Sequence, residues 1–148
     1  MLEKIVGINL IKTDDRINME TNEIINKKHP MKNNDVYEWS ENFDRFLLIN
    51  NSKYYFNLKF VCDSGGTQTR TLREVYHFIK NQMEYLIKFN VNNVNVYFIN
   101  ILDGDTSYNN IGKFNFLRNK EKYINIIKYI FIGSLYDFQR HPIKIILK

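Results

Sequence analysis

A lone cysteine, Cys62, is the entire thiol content of the 148 residues. No disulfide can form within the chain, so a reducing, intracellular compartment is the default. A nucleophilic role for that thiol needs a histidine and an orienting partner, and nothing near Cys62 supplies them. Inside an apolar run it reads as core. Histidine is sparse too: His29, His77 and His141 are scattered, and no Cys/His spacing suits zinc. Long apolar runs are missing. The N-terminal patch of Ile5, Val6, Ile8, Leu10 and Ile11 is broken by Lys4, Gly7 and Asn9 and lacks a small-residue cleavage site. It reads as neither a signal peptide nor a membrane span, which makes the expected protein soluble, cytoplasmic and not secreted. No Gly-, Ser- or Pro-rich linker and no internal repeat divides the sequence, so a single domain over 1–148 is expected.

Against these absences stand a hydrophobic share of 44% and an aromatic share of 15%, enough apolar material for a packed core. The formal net charge of +5 and pI near 9.2 are compatible with a polyanionic partner or with a plain basic surface. Residues 1–35 form a poorly defined segment. Within it a short helix is expected over about 17–27, and His29-Pro30 reads as a bend. From Phe43 the pattern sharpens. The apolar run Phe46–Ile49 is followed by Asn50-Asn51-Ser52-Lys53, which is turn chemistry. Lys53 to Cys62 then alternates, with Phe56, Leu58, Phe60 and Cys62 on one face and Tyr55, Asn57, Lys59 and Val61 on the other. Period two predicts a strand, and the pair predicts a β-hairpin.

A loop at Asp63–Thr67 leads to an amphipathic helix over about 70–89, with Leu72, Val75, Ile79, Met83 and Leu86 at helical spacing and Thr67, Thr69 and Thr71 as candidate caps. Asn95–Leu102 reads as a buried strand and Asp103-Gly104-Asp105 as a tight turn rather than a metal site. A loop or short helix follows over 106–119, then a helical segment over Lys120–Ile127 and a strand over Lys128–Gly133. The expected class is α/β (α+β): a central mixed sheet with a β-hairpin, flanked by helices.

If Asn50 and Lys53 close the turn, Asp44 lies opposite Lys59, and Asn57 shares their face two residues away. The apolar face would pack inward. One carboxylate, one amide oxygen and one ammonium group then converge. A hard divalent cation wants oxygen ligands, which Asp44 and Asn57 can offer. Bound there, it would activate water and polarise a phosphoryl group, while Lys59 would stabilise the growing negative charge. Glu41 or Glu38 could add a carboxylate. The competing interpretation is solvated decoration on an exposed strand face.

Three segments carry a family resemblance: Glu41-Asn42-Phe43-Asp44; Tyr55-Phe56-Asn57-Leu58-Lys59-Phe60-Val61; and the run from Gly65-Gly66-Thr67-Gln68-Thr69-Arg70 through Thr71-Leu72-Arg73-Glu74-Val75 to Ile79. Together they resemble type II restriction endonucleases of the PD-(D/E)xK nuclease superfamily. The resemblance implies a restriction-endonuclease-like fold with a catalytic hairpin, Asp44 as the first metal-binding acid and Lys59 as the motif lysine. Asn57 stands where the usual motif has Asp or Glu, and Phe43 where Pro is common. It also implies Mg²⁺ as cofactor, double-stranded DNA as substrate, a homodimer that cuts both strands, and a cognate DNA methyltransferase. In the third segment, Gly65 and Gly66 would let backbone amides approach a phosphate at a helix N-terminus. Gln68, Arg70 and Arg73 would contact DNA backbone or base edges. The rival expectations are a non-enzymatic nucleic-acid-binding module and a truncated nuclease relic that keeps the fold without cleavage.

Overall fold

The computed structural model describes residues 9–26, 39–62, 65–89 and 95–143. It is a mixed α+β fold with two sheets. Strands β4 (Arg45–Ile49), β5 (Ser52–Phe60), β6 (Val96–Asp103) and β7 (Ile130–Gly133) form a four-stranded sheet in that spatial order. The hairpin β4–β5 is antiparallel, whereas β5–β6 and β6–β7 are parallel. Parallel neighbours require crossovers. Helix α1 (Gly66–Phe89) makes the first, and helix α2 (Asp105–Arg118) with a 3₁₀ helix (Glu121–Tyr129) makes the second. A short helix α3 (Leu135–Phe138) follows β7.

Where a helix is expected over about 17–27, the described residues up to Asn26 instead contribute to a second sheet in order β2-β1-β3, with β1 (Asp15–Asn18), β2 (Ile24–Asn26) and β3 (Ser40–Asn42) all antiparallel. Its short strands leave only Ile17 fully buried, which is too little apolar signal to separate helix from strand. The Tyr55 hydroxyl donates to Asp15 Oδ2 at 2.6 Å and ties this sheet to the main one. Burial, with Asp15 beside it, pushes that phenol well above its ordinary pKa.

The hairpin turn is tighter than the sequence suggests. Asn50 and Asn51 both take positive φ, 50° and 67°, as the favoured two-residue hairpin turns require, and Asn tolerates this better than other non-glycine residues. Lys53 therefore pairs with Leu48 rather than Asn50. The shift is two positions, so face parity survives while the cross-strand partners change.

Both faces of β5 are covered. Tyr54, Tyr55, Phe56 and Asn57 are all buried. Tyr55, Phe98, Leu102 and the buried stripe of α1 (Leu72, Val75, Phe78, Ile79, Met83, Leu86) form the larger core. Tyr54, Phe56, Ile99, Ile101 and Phe131 form a second core on the opposite face, with Leu10, Phe138 and Ile143. The expectation of one inward apolar face thus needs correction: Asn57 lies on a buried face, and Phe60, on the face expected to be inward, is 76% exposed. A central strand between two parallel or antiparallel neighbours is commonly buried on both sides, and alternation then loses its meaning.

Candidate functional site

The site is best followed outward from β5. Asp44 sits at the bend just before β4. Its backbone N–H donates to Phe56 O at 2.8 Å, and its carboxylate Oδ2 accepts from the Leu58 N–H at 2.7 Å. These two bonds straddle Asn57. The hairpin pairing ends at Arg45 with Phe56, and the Asp44 backbone reaches Phe56 O, so Asp44 does not lie opposite Lys59 as the four-residue turn predicts. Lys59 lies two residues beyond Asn57 on the same face of β5. Asp44 and Lys59 are partly exposed, and neither forms an ion pair among the described residues.

Asn57 is only 1% exposed. Its Nδ2 donates to Asn100 Oδ1 at 3.1 Å. Asn100 occupies the paired position on β6 and exchanges hydrogen bonds with Gln82 of α1, at 2.7 and 3.0 Å. It also donates to Phe131 O on β7 at 3.3 Å. Asn57 Oδ1, by contrast, is buried without a hydrogen-bond partner among the described residues. A buried amide oxygen left unpaired costs about 1–3 kcal/mol, so it is either satisfied by a bound species or tolerated as strain. Sequence reading missed Asn100 and Gln82. Each is a lone amide inside an otherwise apolar pattern, Asn100 in Val96–Leu102 and Gln82 beside Met83 in the α1 stripe, and that interruption was the available signal.

The donor chemistry suits a hard cation. Asp44 offers a carboxylate and Asn57 a carbonyl oxygen, and water or phosphate oxygens would fill the remaining positions. The described residues contain no group of three or more His, Cys, Asp or Glu side chains able to hold a metal. Glu41 does not join the set. It lies in β3 opposite Ile17 and accepts from the Trp39 indole N–H at 3.3 Å, while Trp39 packs edge-on against His77 of α1. Glu38 lies outside the described residues.

The Gly65–Arg73 segment forms the start of α1, at the carboxyl end of β5. The Gly65 carbonyl accepts from both the backbone and the hydroxyl of Thr69, and the Thr71 hydroxyl returns to Thr67 O. Thr69 and Thr71 therefore bond backwards inside the helix rather than cap it. A Cβ at Gly65 would meet Gln68 Oε1 at 2.8 Å, so Gln68 folds back over the helix start, whereas Gly66 faces open space. No acidic residue occupies the first turn of α1, which leaves its N-terminal dipole uncompensated. Arg70 and Arg73 are exposed. Arg73 lines a cleft of about 630 Å³ between α1 and α2, with Thr69, Tyr76, His77, Lys113 and Phe116. Arg73 and Lys113 are the formally charged lining residues, so the cleft is positive.

The turn at Asp103 is structural. Its two carboxylate oxygens accept from the Tyr108 hydroxyl and the Leu135 N–H. Gly104 takes φ +97°, and a Cβ there would stand 2.3 Å from Val61 O. Both facts demand glycine where β6 turns into α2 beside the end of β5.

No family model, curated protein or solved structure matches the chain. The class that the structure defines is a mixed α+β fold with a mixed four-stranded sheet and an antiparallel three-stranded sheet. No helix among the described residues is long and apolar enough to cross a membrane.

Proposed function

We propose that the protein is a Mg²⁺-dependent endonuclease that hydrolyses phosphodiester bonds of double-stranded DNA, with a restriction-endonuclease-like core around the hairpin. The observation that carries this reading is the buried Asn57 Oδ1, which lacks a partner among the described residues, on a strand whose next backbone N–H, that of Leu58, is bound by the Asp44 carboxylate. Order also supports it: a hairpin, a helix, then a strand parallel to the hairpin's second strand.

In this reading Asp44 and Asn57 would hold the cation by oxygen. A bound Mg²⁺ supplies charge neutralisation and an acidic bound water. Lys59 would orient the attacking water or stabilise the negative charge that grows on the pentacoordinate phosphorus centre. Arg70, Arg73 and Lys113 neutralise backbone phosphates along the α1–α2 side, and the open N-terminus of α1 at Gly66 receives another. Cleavage of both strands of a symmetric site would call for a homodimer, and host protection for a cognate methyltransferase.

One observation favours a second reading. Asn57 is an amide where an acid is usual, and it is packed into a hydrogen-bonded core. A relic that binds DNA without cutting it would show the same packing. Incubation of plasmid DNA with Mg²⁺ or with EDTA, beside an Asp44→Ala variant, separates the two. Mg²⁺-dependent cleavage lost in the variant supports the nuclease. DNA binding with no cleavage supports the relic.

A further inference from the structure

We infer that Asn100 and Gln82 are positioning residues that force Asn57 to present its carbonyl oxygen, rather than its amide nitrogen, to the proposed cation site. This rests on the nuclease reading above, in which Asn57 is a ligand.

The inference follows from hydrogen-bond inventory. A side-chain amide has two donors on nitrogen and an oxygen with two lone pairs. The backbone carbonyl of Phe131 can only accept, so the Asn100 side chain must turn its Nδ2 toward β7, as it does at 3.3 Å. Its second Nδ2 hydrogen goes to Gln82 Oε1 at 2.7 Å. Asn100 Oδ1 is thereby turned away from β7, where it accepts from Gln82 Nε2 and from Asn57 Nδ2, at 3.0 and 3.1 Å. Every donor and acceptor of Asn100 is used. It has only its oxygen to offer Asn57, and so Asn57 must give its nitrogen. The leftover group is Asn57 Oδ1, the buried atom without a partner.

The chain Phe131–Asn100–Asn57 thus runs from β7 through β6 to β5 and sets the polarity of the last amide. Gln82 braces it from α1. All three side chains are fully buried or nearly so, and in that low-dielectric setting the arrangement is rigid. An amide oxygen left free of hydrogen bonds is a ligand for a cation, whereas an amide nitrogen in its place would repel one. Removing residues that orient a ligand typically weakens metal affinity by about 10–100-fold.

The test is Mg²⁺ binding by isothermal titration calorimetry on the full chain, with ¹⁵N spectra of side-chain amides. The comparison includes Asn100→Leu, Gln82→Met, Asn57→Ala and Asp44→Ala. In the unsubstituted protein, Mg²⁺ is expected to shift the Asn57 NH₂ resonances while their exchange protection persists. Asn100→Leu is expected to weaken Mg²⁺ about tenfold or more with the circular dichroism spectrum retained, and Gln82→Met by a smaller factor. Should Asn100→Leu fail to fold, Gln82→Met and the unsubstituted spectra decide: an unchanged affinity together with unshifted Asn57 resonances overturns the inference. Loss of Mg²⁺ in Asn57→Ala but not in Asn100→Leu also overturns it and leaves Asn57 as a ligand. Unaltered Mg²⁺ affinity in both Asp44→Ala and Asn57→Ala removes the underlying cation site instead.

Discussion

The Asn57 side chain donates to Asn100 Oδ1 across the parallel pair β5–β6, and both amides are out of solvent. A residue expected on a wet strand face is therefore held by the core. This contact makes Asn57 the residue whose replacement is most informative.

Asn57→Asp should trade stability for metal affinity. A carboxylate adds the charge that a neutral amide lacks, so Mg²⁺ is expected to bind on the order of tenfold more tightly. The same carboxylate has no hydrogen to give Asn100 Oδ1 and is desolvated, so the metal-free protein should lose about 1–3 kcal/mol. Urea melts in EDTA and calorimetric titration with Mg²⁺ measure the two effects separately. Weaker Mg²⁺ binding in this variant would count against Asn57 as a ligand.

Arg73→Ala and Lys113→Ala probe the positive cleft between α1 and α2. If each neutralises a phosphate, each substitution lowers DNA affinity across all sequences and reduces the slope of log K against log salt by about 1. Fluorescence anisotropy at several salt concentrations reads the slope. An unchanged slope in both variants would place the DNA elsewhere.

Gly104→Ala forces a side chain into a left-handed conformation and against Val61 O. The conformational strain alone costs about 1–3 kcal/mol, and the clash adds to it. A lower denaturation midpoint is expected, with the fold retained or lost outright. A midpoint within error of the unsubstituted protein would contradict the observed path from β6 into α2.

Glu84 links α1 to the 3₁₀ helix through Lys122 and Tyr123, each at 2.7 Å. Partial burial pushes its carboxyl pKa up, but hydrogen bonds from Lys122 and Tyr123 and the nearby lysine charges outweigh this, and the net shift is downward. A depressed folded-state pKa gives stability that is present above the unfolded value and lost as pH falls through the folded one. The melting-temperature advantage over Glu84→Gln should therefore hold at neutral pH and shrink below about pH 4. A constant difference across that range would remove the link.

The sequence made the element order legible from the hairpin onward, because α1 and β6 are long and strongly patterned. The helix expected over about 70–89 and the strand over Asn95–Leu102 appear as Gly66–Phe89 and Val96–Asp103. Residues 106–119 read as loop or short helix because α2 carries its buried Phe114 and Leu117 without a continuous apolar stripe. The register error came from Asn50-Asn51, since four polar residues in a row conceal which two make the turn. Asn57 was found for its place in a motif, but its burial was illegible. Alternation along β5 suggested one dry face, while Phe98 and the buried stripe of α1, remote in sequence, cover the other. The place of Lys59 on the face of Asn57 depends only on parity, which a two-residue shift preserves, whereas Asp44 falls just outside the paired residues.

Cleavage of supercoiled plasmid DNA is the measurement closest to the central claim. With Mg²⁺, the unsubstituted protein is expected to give nicked or linear products that EDTA abolishes, and Asp44→Ala and Lys59→Met are expected to slow cleavage by a factor on the order of 10²–10³. Intact plasmid at every Mg²⁺ concentration, or cleavage that persists undiminished in Asp44→Ala, would contradict it.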